Sequence, residues 1–126
     1  MLSHLSIGVS DLRRSIAFYD AVLMPLGYVR LWTTDRGAGY GVSGPDEPFA
    51  LFAAGEDARS PGAGCHFALT ARTRASVDAF HAVALRSGAV DDGAPAFRPQ
   101  YGPGYYAAFV RDLDGYKLEA VCHGVV

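Results

Sequence analysis

Two stretches of this 126-residue chain repeat one another at a fixed separation. His4 pairs with His66, Ala17-Phe18 with Ala79-Phe80, Leu5 with Phe67, Ile7 with Leu69 and Leu23 with Leu85, each pair lying 62 positions apart. In both copies the histidine opens an alternating run and the Ala-Phe pair falls in a helical one. Such a duplication constrains a short chain strongly. Each copy is too small to stand alone, so the two halves pack on one another. A two-fold arrangement brings equivalent positions together, and two imidazoles at one such position then face each other across a shared cleft, as metal ligands do.

Residues 4–9 (HLSIGV) alternate, with Leu5, Ile7 and Val9 on one side and His4, Ser6 and Gly8 on the other. That is a strand with an apolar back and a small, polar front. Ser10 or Asp11 caps a helix that buries Leu12, Ile16, Tyr19 and Leu23 and ends near Pro25 and Gly27. Short strands follow at 28–34, about 38–43 and about 48–54, separated by Arg36-Gly37 and Ser43-Gly44-Pro45-Asp46. A polar link over 55–64 joins modules of about 1–55 and 64–126 within a single domain, 1–126. The second module has a strand at 65–71 (CHFALTA) and a helix capped by Thr73, buried through Val77, Phe80 and Ala84 and stopped by Gly88. A Pro-rich connection (APAFRPQYGPG) leads to a strand at 105–111. An Asp114-Gly115 turn precedes the last strand at 116–123. The expected class is α+β, each half being strand, helix and three strands.

A net charge of −2 gives no basic footprint for nucleic acid or an anionic membrane. No apolar run approaches a membrane span. The opening MLSHLSIGVSDLRRS reaches Asp11 and two arginines too early for a secretory leader, so a cytoplasmic protein is expected. Cys65 and Cys122 are expected as reduced thiols buried in strands rather than as a disulfide framework.

On the last strand Lys117, Glu119, Val121 and His123 share one face. A carboxylate in the middle of an apolar strand is costly unless it is paired, hydrogen-bonded or bound to a cation. Lys117 or an arginine offers one such partner. The other is a metal: His4, His66 and Glu119 all emerge on the non-helix side of their strands. Two imidazoles and a carboxylate bind Fe, Mn, Zn, Ni or Co and leave about three positions of an octahedral ion free for a chelating substrate. His123 lies about 13 Å along the strand from Glu119, too far for the same ion and suited to a substrate contact. Trp32, Tyr40, Phe52, Tyr101, Tyr105 and Tyr106 are placed to line or border the cup. Tyr101 and Tyr105 are the catalytic candidates, as phenols that donate to an oxyanion or act as acids. Trp32, Phe52 and Tyr106 are candidate substrate contacts. Arg30, Arg98 and Arg111 are read as solvated surface residues and His81 as structural.

The opening HLSIGVSDLRRSIAFYDAVL, the mid-chain CHFAL and the closing VRDLDGYKLEAV resemble the vicinal-oxygen-chelate superfamily, which includes glyoxalases, fosfomycin- and bleomycin-resistance proteins and extradiol dioxygenases. The resemblance covers nearly the whole chain. It implies two βαβββ modules forming a cupped mixed sheet, completed in a homodimer, and a divalent metal held by His4, His66 and Glu119. Sliding VSGPDEPFALF onto VRDLDGYKLEA sets Leu51 opposite Glu119, so the fourth-strand carboxylate of glyoxalase I-type members has no counterpart; Glu47 precedes the strand and Glu56 follows it. The phosphonate-binding Lys/Arg cluster of the fosfomycin-resistance enzymes has no recognisable copy either. The expected function is that of a metal-dependent enzyme, of dioxygenase or glyoxalase/lyase type, acting on a small organic substrate with adjacent oxygens. The alternative is a non-catalytic, drug-sequestering binding protein of the bleomycin-resistance type.

Overall fold

Each half of the chain folds as a strand, a helix and three strands. The computed structural model describes residues 1–42 and 48–124. The Ser43-Gly44-Pro45-Asp46 turn and Glu47 lie outside the described residues. The first half contains β1 (Leu5–Val9), α1 (Leu12–Leu23), β2 (Val29–Thr33), β3 (Gly37–Gly41) and β4 (Phe49–Ala53). The second contains β5 (Phe67–Thr70), α2 (Arg74–Arg86), β6 (Val90–Phe97), β7 (Tyr106–Arg111) and β8 (Lys117–Cys122). The side chain of Asp11 caps α1 by accepting from the Arg14 amide, and Thr73 caps α2 by accepting from that of Ser76. Among the described residues no helix is long and apolar enough to cross a membrane.

The strands form two four-stranded mixed sheets, ordered β1-β4-β3-β2 and β5-β8-β7-β6. In each sheet the first strand runs parallel to the last, and the other pairs are antiparallel. Each module therefore ends on a strand paired with the one that its histidine precedes. Phe18, Tyr19, Val22 and Leu23 of α1 and Val77, Phe80 and Ala84 of α2 join the backs of both sheets in one continuous core.

Three sequence expectations are corrected. The Pro-rich stretch expected as a connection contains the second half of β6. Its register shifts between Asp91 and Gly93 and again between Gly93 and Ala96, and Pro95 falls in the second shift with no partner across the ladder. A proline is tolerated there because β6 is an edge strand. Arg98 is not simply solvated. It folds back over β6 and β7, donating from Nη2 to the carbonyls of Ala94 (2.8 Å) and Ala107 (3.4 Å), with its guanidinium 5.0 Å from the Phe109 ring centre. Cys65 is exposed, since β5 begins only at Phe67; Cys122 is buried in β8.

The parallel pairing also fixes which residues are equivalent. Ser6 opposes Ala50, and Ala68, 62 positions after Ser6, opposes Glu119. Ala50, not Leu51, is therefore the first-half counterpart of Glu119. Leu51 points into the core. Either way the fourth strand carries no carboxylate at that point.

The two halves are stitched at the hairpin before β8. Tyr19 of α1 donates its hydroxyl to Oδ2 of Asp112, whose Oδ1 accepts from the amides of Asp114 and Tyr116, both at 2.9 Å. The Tyr116 hydroxyl donates to the Gly8 carbonyl at 2.8 Å, and the Ser10 amide donates to Asp114 Oδ2 at 3.1 Å. Burial, reinforced by the Asp112 charge, pushes the Tyr19 phenol well above its ordinary range. Tyr19→Phe leaves a buried carboxylate oxygen unpaired and is expected to cost about 1–3 kcal/mol in urea unfolding at neutral pH. Because the folded state keeps the Tyr19 proton that the unfolded chain loses near its normal pKa, wild-type stability falls as pH rises past about 10, by about 1.4 kcal/mol per pH unit from this group. Urea titrations between pH 9 and 11 should show that component in the wild type and not in the Phe variant.

Candidate metal centre

Alternation along β8 turns Glu119 away from the helices, yet the side chain is buried, with the residue only 1% exposed. Across the sheet it faces Ala68 of β5 on one side and Phe109 of β7 on the other. One carboxylate oxygen, Oε1, lies 2.9 Å from Nε2 of His66, which immediately precedes β5 and whose side chain is 41% exposed. The other oxygen accepts from the hydroxyl of Tyr105, which immediately precedes β7. Partial burial, then the hydrogen bond to and charge of Glu119, push the Tyr105 phenol up to about 12, so it remains a donor across the ordinary pH range. Lys117, the cation two residues from Glu119, does not pair with it. Its Nζ lies 3.5 Å from Asp92 and 5.0 Å from the Phe109 ring centre. The buried carboxylate is thus held by an imidazole and a phenol.

Tyr105 stands between two rings of the same neighbourhood, Tyr101 at 5.4 Å and His123 at 5.1 Å in an edge-on contact. The sequence-derived candidates Tyr101, Tyr105, His123, His66 and Glu119 are therefore gathered at one place. Tyr106 is not with them. Neighbouring residues on a strand face opposite sides. The Tyr106 hydroxyl accordingly donates to Asp78 of α2 at 2.7 Å. Tyr40 also lies on the helix side, donating to Asp20 at 2.9 Å. Trp32 and Phe52 form a separate aromatic pair on the first sheet, with ring centres 6.0 Å apart. His81 pairs with Asp91 at 2.9 Å, and Arg30 and Arg111 pair with Asp20 and Asp92.

His4 is exposed just before β1, its Nδ1 3.0 Å from the Ser3 hydroxyl. With His66 it lines a cleft of about 490 Å³ whose other walls include Leu5, Tyr28, Tyr40 and Phe49. The structure brings His66 and Glu119 together and leaves His4 elsewhere on the cleft wall. Among the described residues of one chain, no three His, Cys, Asp or Glu side chains are arranged to hold a metal.

Sequence reasoning passed over Phe109, whose ring centre lies 6.0 Å from that of His66. The two-residue period from Tyr105 would have found it. Its counterpart shows how the halves diverged. Gly93 opposes Phe109 in the second sheet, whereas Trp32 opposes Gly39 in the first. A Cβ on Gly39 would lie 2.0 Å from the Trp32 indole nitrogen, and one on Gly93 would lie 3.1 Å from Phe109. Each module places one aromatic ring over one glycine, in opposite order.

A family model of the Glyoxalase/Bleomycin resistance protein/Dioxygenase superfamily matches residues 1–120. Among solved structures, a glyoxalase/bleomycin resistance protein from Albidiferax ferrireducens T118 is 31% identical, with a TM-score of 0.81 over 95% of this chain and 96% of that one. A glyoxalase/bleomycin resistance protein/dioxygenase family enzyme from Burkholderia phytofirmans PsJN is 19% identical, with a TM-score of 0.72 over 98% of both chains. The fosfomycin resistance protein FosX from Listeria monocytogenes is 14% identical, with a TM-score of 0.71 over 99% of this chain and 94% of that one. The last two likenesses show the fold alone. No curated protein sequence matches the chain. On the breadth of the family match and the paired βαβββ architecture, the chain belongs to the Glyoxalase/Bleomycin resistance protein/Dioxygenase superfamily.

Proposed function

We propose that this protein is a metal-dependent enzyme of dioxygenase or glyoxalase/lyase type, acting on a small organic substrate with adjacent oxygens, and that His66 and Glu119 are two of its metal ligands. The observation that carries the reading is the buried Glu119 carboxylate, held 2.9 Å from an imidazole and partnered by neither lysine nor arginine among the described residues. A carboxylate withdrawn from water is held by hydrogen bonds or by positive charge, and an imidazole and a phenol on its two oxygens leave it without a fixed cation. The exposed side of His66 opens that pair to the cleft. One imidazole and one carboxylate suit Fe, Mn, Zn, Ni or Co, with neutral imidazole as the ligand form. Bound there, a divalent ion would supply Lewis acidity to a substrate chelated through two oxygens.

This chain's residues divide the remaining work. His66 Nε2, which now meets Glu119 Oε1, would be the ligand atom of that imidazole. Tyr101 and His123 flank the site from the Tyr105 side, and Trp32 and Phe52, on the first sheet, would supply an aromatic wall from a second copy of the chain. Ala50 at the position equivalent to Glu119 leaves no second carboxylate to move a proton, which favours dioxygenase or other lyase chemistry over a glyoxalase I-type proton shuttle. A drug-sequestering cup has no use for a buried carboxylate paired with a histidine. His4 is the third donor, and it comes from the second copy of a homodimer, because within one chain it stands apart from the pair, bonded to Ser3.

Two measurements bear on this. Purified wild type should hold close to one divalent ion per chain, and His66→Ala should lose metal affinity by about tenfold or more; equal metal content in the two proteins would remove the reading. Mixing His4→Ala with Glu119→Gln, each deficient alone, should regenerate metal binding after subunits are dissociated and reassembled, since each mixed dimer then has one intact ligand set. No recovery on mixing would place all three donors in one chain.

A further inference from the structure

We infer that Tyr105 is a positioning residue of the metal centre, which acts through Glu119 and holds that carboxylate to a single free oxygen. The inference rests on the proposed ligand role of His66 and Glu119. It departs from the sequence reading, in which Tyr105 meets the substrate.

The geometry is specific about which atom does what. Glu119 has two oxygens: Oε2 is taken by the Tyr105 hydroxyl, and Oε1 is turned to His66 Nε2 at 2.9 Å. An ionised carboxylate is acceptor-only, so a phenol O–H on one oxygen orients the group and leaves the other for a cation. Among the described residues the hydroxyl meets no other carboxylate, and its ring is fixed from both sides by Tyr101 and His123.

The backbone reinforces this placement. Arg98 donates its amide to the Tyr105 carbonyl at 2.8 Å, and the Tyr105 amide donates to Gly102 at 3.3 Å. Gly102 and Gly104 have φ of 144° and 73°, conformations that a residue with a side chain rarely adopts. A Cβ at Gly104 would also approach the His123 carbonyl to 3.4 Å. The Gly-Pro-Gly segment therefore delivers Tyr105 to Glu119, rather than serving as a loose loop over the cup.

The consequence concerns how many positions remain for substrate. With two imidazoles, a carboxylate bound through one oxygen occupies three positions of an octahedral ion and leaves about three. Bound through both oxygens it leaves about two, which a substrate chelating through two adjacent oxygens fills, excluding any co-reactant. By holding Glu119 to one free oxygen, Tyr105 would leave one coordination position beyond those a chelating substrate uses.

The test uses Co²⁺ as the probe, because its visible absorption reports coordination number and affinity in one titration. Tyr105→Phe should bind Co²⁺ about 10–100-fold more weakly than wild type, with altered band intensities as both Glu119 oxygens engage. Tyr106→Phe, which removes the adjacent phenol that donates to Asp78 on the opposite face of β7, should match wild type in both readouts. Replacing Tyr105 by 4-aminophenylalanine, which retains ring and donor, should restore both, and it tests the inference even where the Phe variant folds poorly. Wild-type affinity and spectrum in Tyr105→Phe, or failure of the amino analogue to restore them, overturns the inference. His66→Ala in the same titration separates the two levels. If it binds Co²⁺ as wild type does, the ligand reading falls and this inference falls with it. If it loses Co²⁺ while Tyr105→Phe retains it, the positioning role alone is wrong.

Discussion

The fold depends on one buried carboxylate that serves both halves at once. Asp112 receives a hydroxyl from α1 of the first module and two backbone amides from the hairpin of its own. Neither module has enough apolar surface to stand by itself. The single core spanning both helices exists because their backs are held face to face, and Asp112 lies at that seam. Its burial raises its own carboxyl above the ordinary range, against the pull of its three hydrogen bonds. The carboxylate therefore resists being left alone, and those bonds are what make its position tolerable. The same hairpin leads into β8, so the seam and the candidate site are joined: Asp112 holds the turn that precedes the strand and Glu119 lies in its middle.

Duplication supplied the scaffold, and divergence supplied the chemistry. Equivalent strands keep their pairing, yet the residues on the non-helix face differ. Ala50 stands where the second half has Glu119, and Trp32 over Gly39 replaces Gly93 beside Phe109. Only one sheet therefore carries a carboxylate. The other keeps the histidine and an aromatic surface. Divergence at these few positions makes the non-helix faces of the two sheets chemically unlike on a common backbone.

Much of this was legible in the chain itself. The 62-residue spacing of His4 and His66, the caps at Asp11 and Thr73, and the period-two faces of β1, β5 and β8 follow from local rules, and local rules are readable in a sequence. Glu119 was recognisable because a carboxylate in an apolar strand demands a partner. What failed were features decided by long-range contacts. β6 was hidden because Pro95 argues against a strand, and only the irregular pairing with β7 shows why it is tolerated. Arg98 looked like solvent-facing charge until its carbonyl partners were in place. The placement of Leu51 against Glu119 slipped by one residue because aligning two sequences cannot see a ladder. Tyr106 was misplaced by the same one-residue margin, which on a strand turns a side chain to the other face.

The uneven outer strands have a further effect. β2 and β6, the outermost strands of the two sheets, both carry register faults, at Arg30–Trp32 and around Gly93 and Pro95. Broken ladders make poor templates for docking an additional chain edge-on. The opposite rims, β1 and β5, are regular and short. A strand-to-strand contact between molecules is thereby steered away from β2 and β6 and towards the rims that follow His4 and His66.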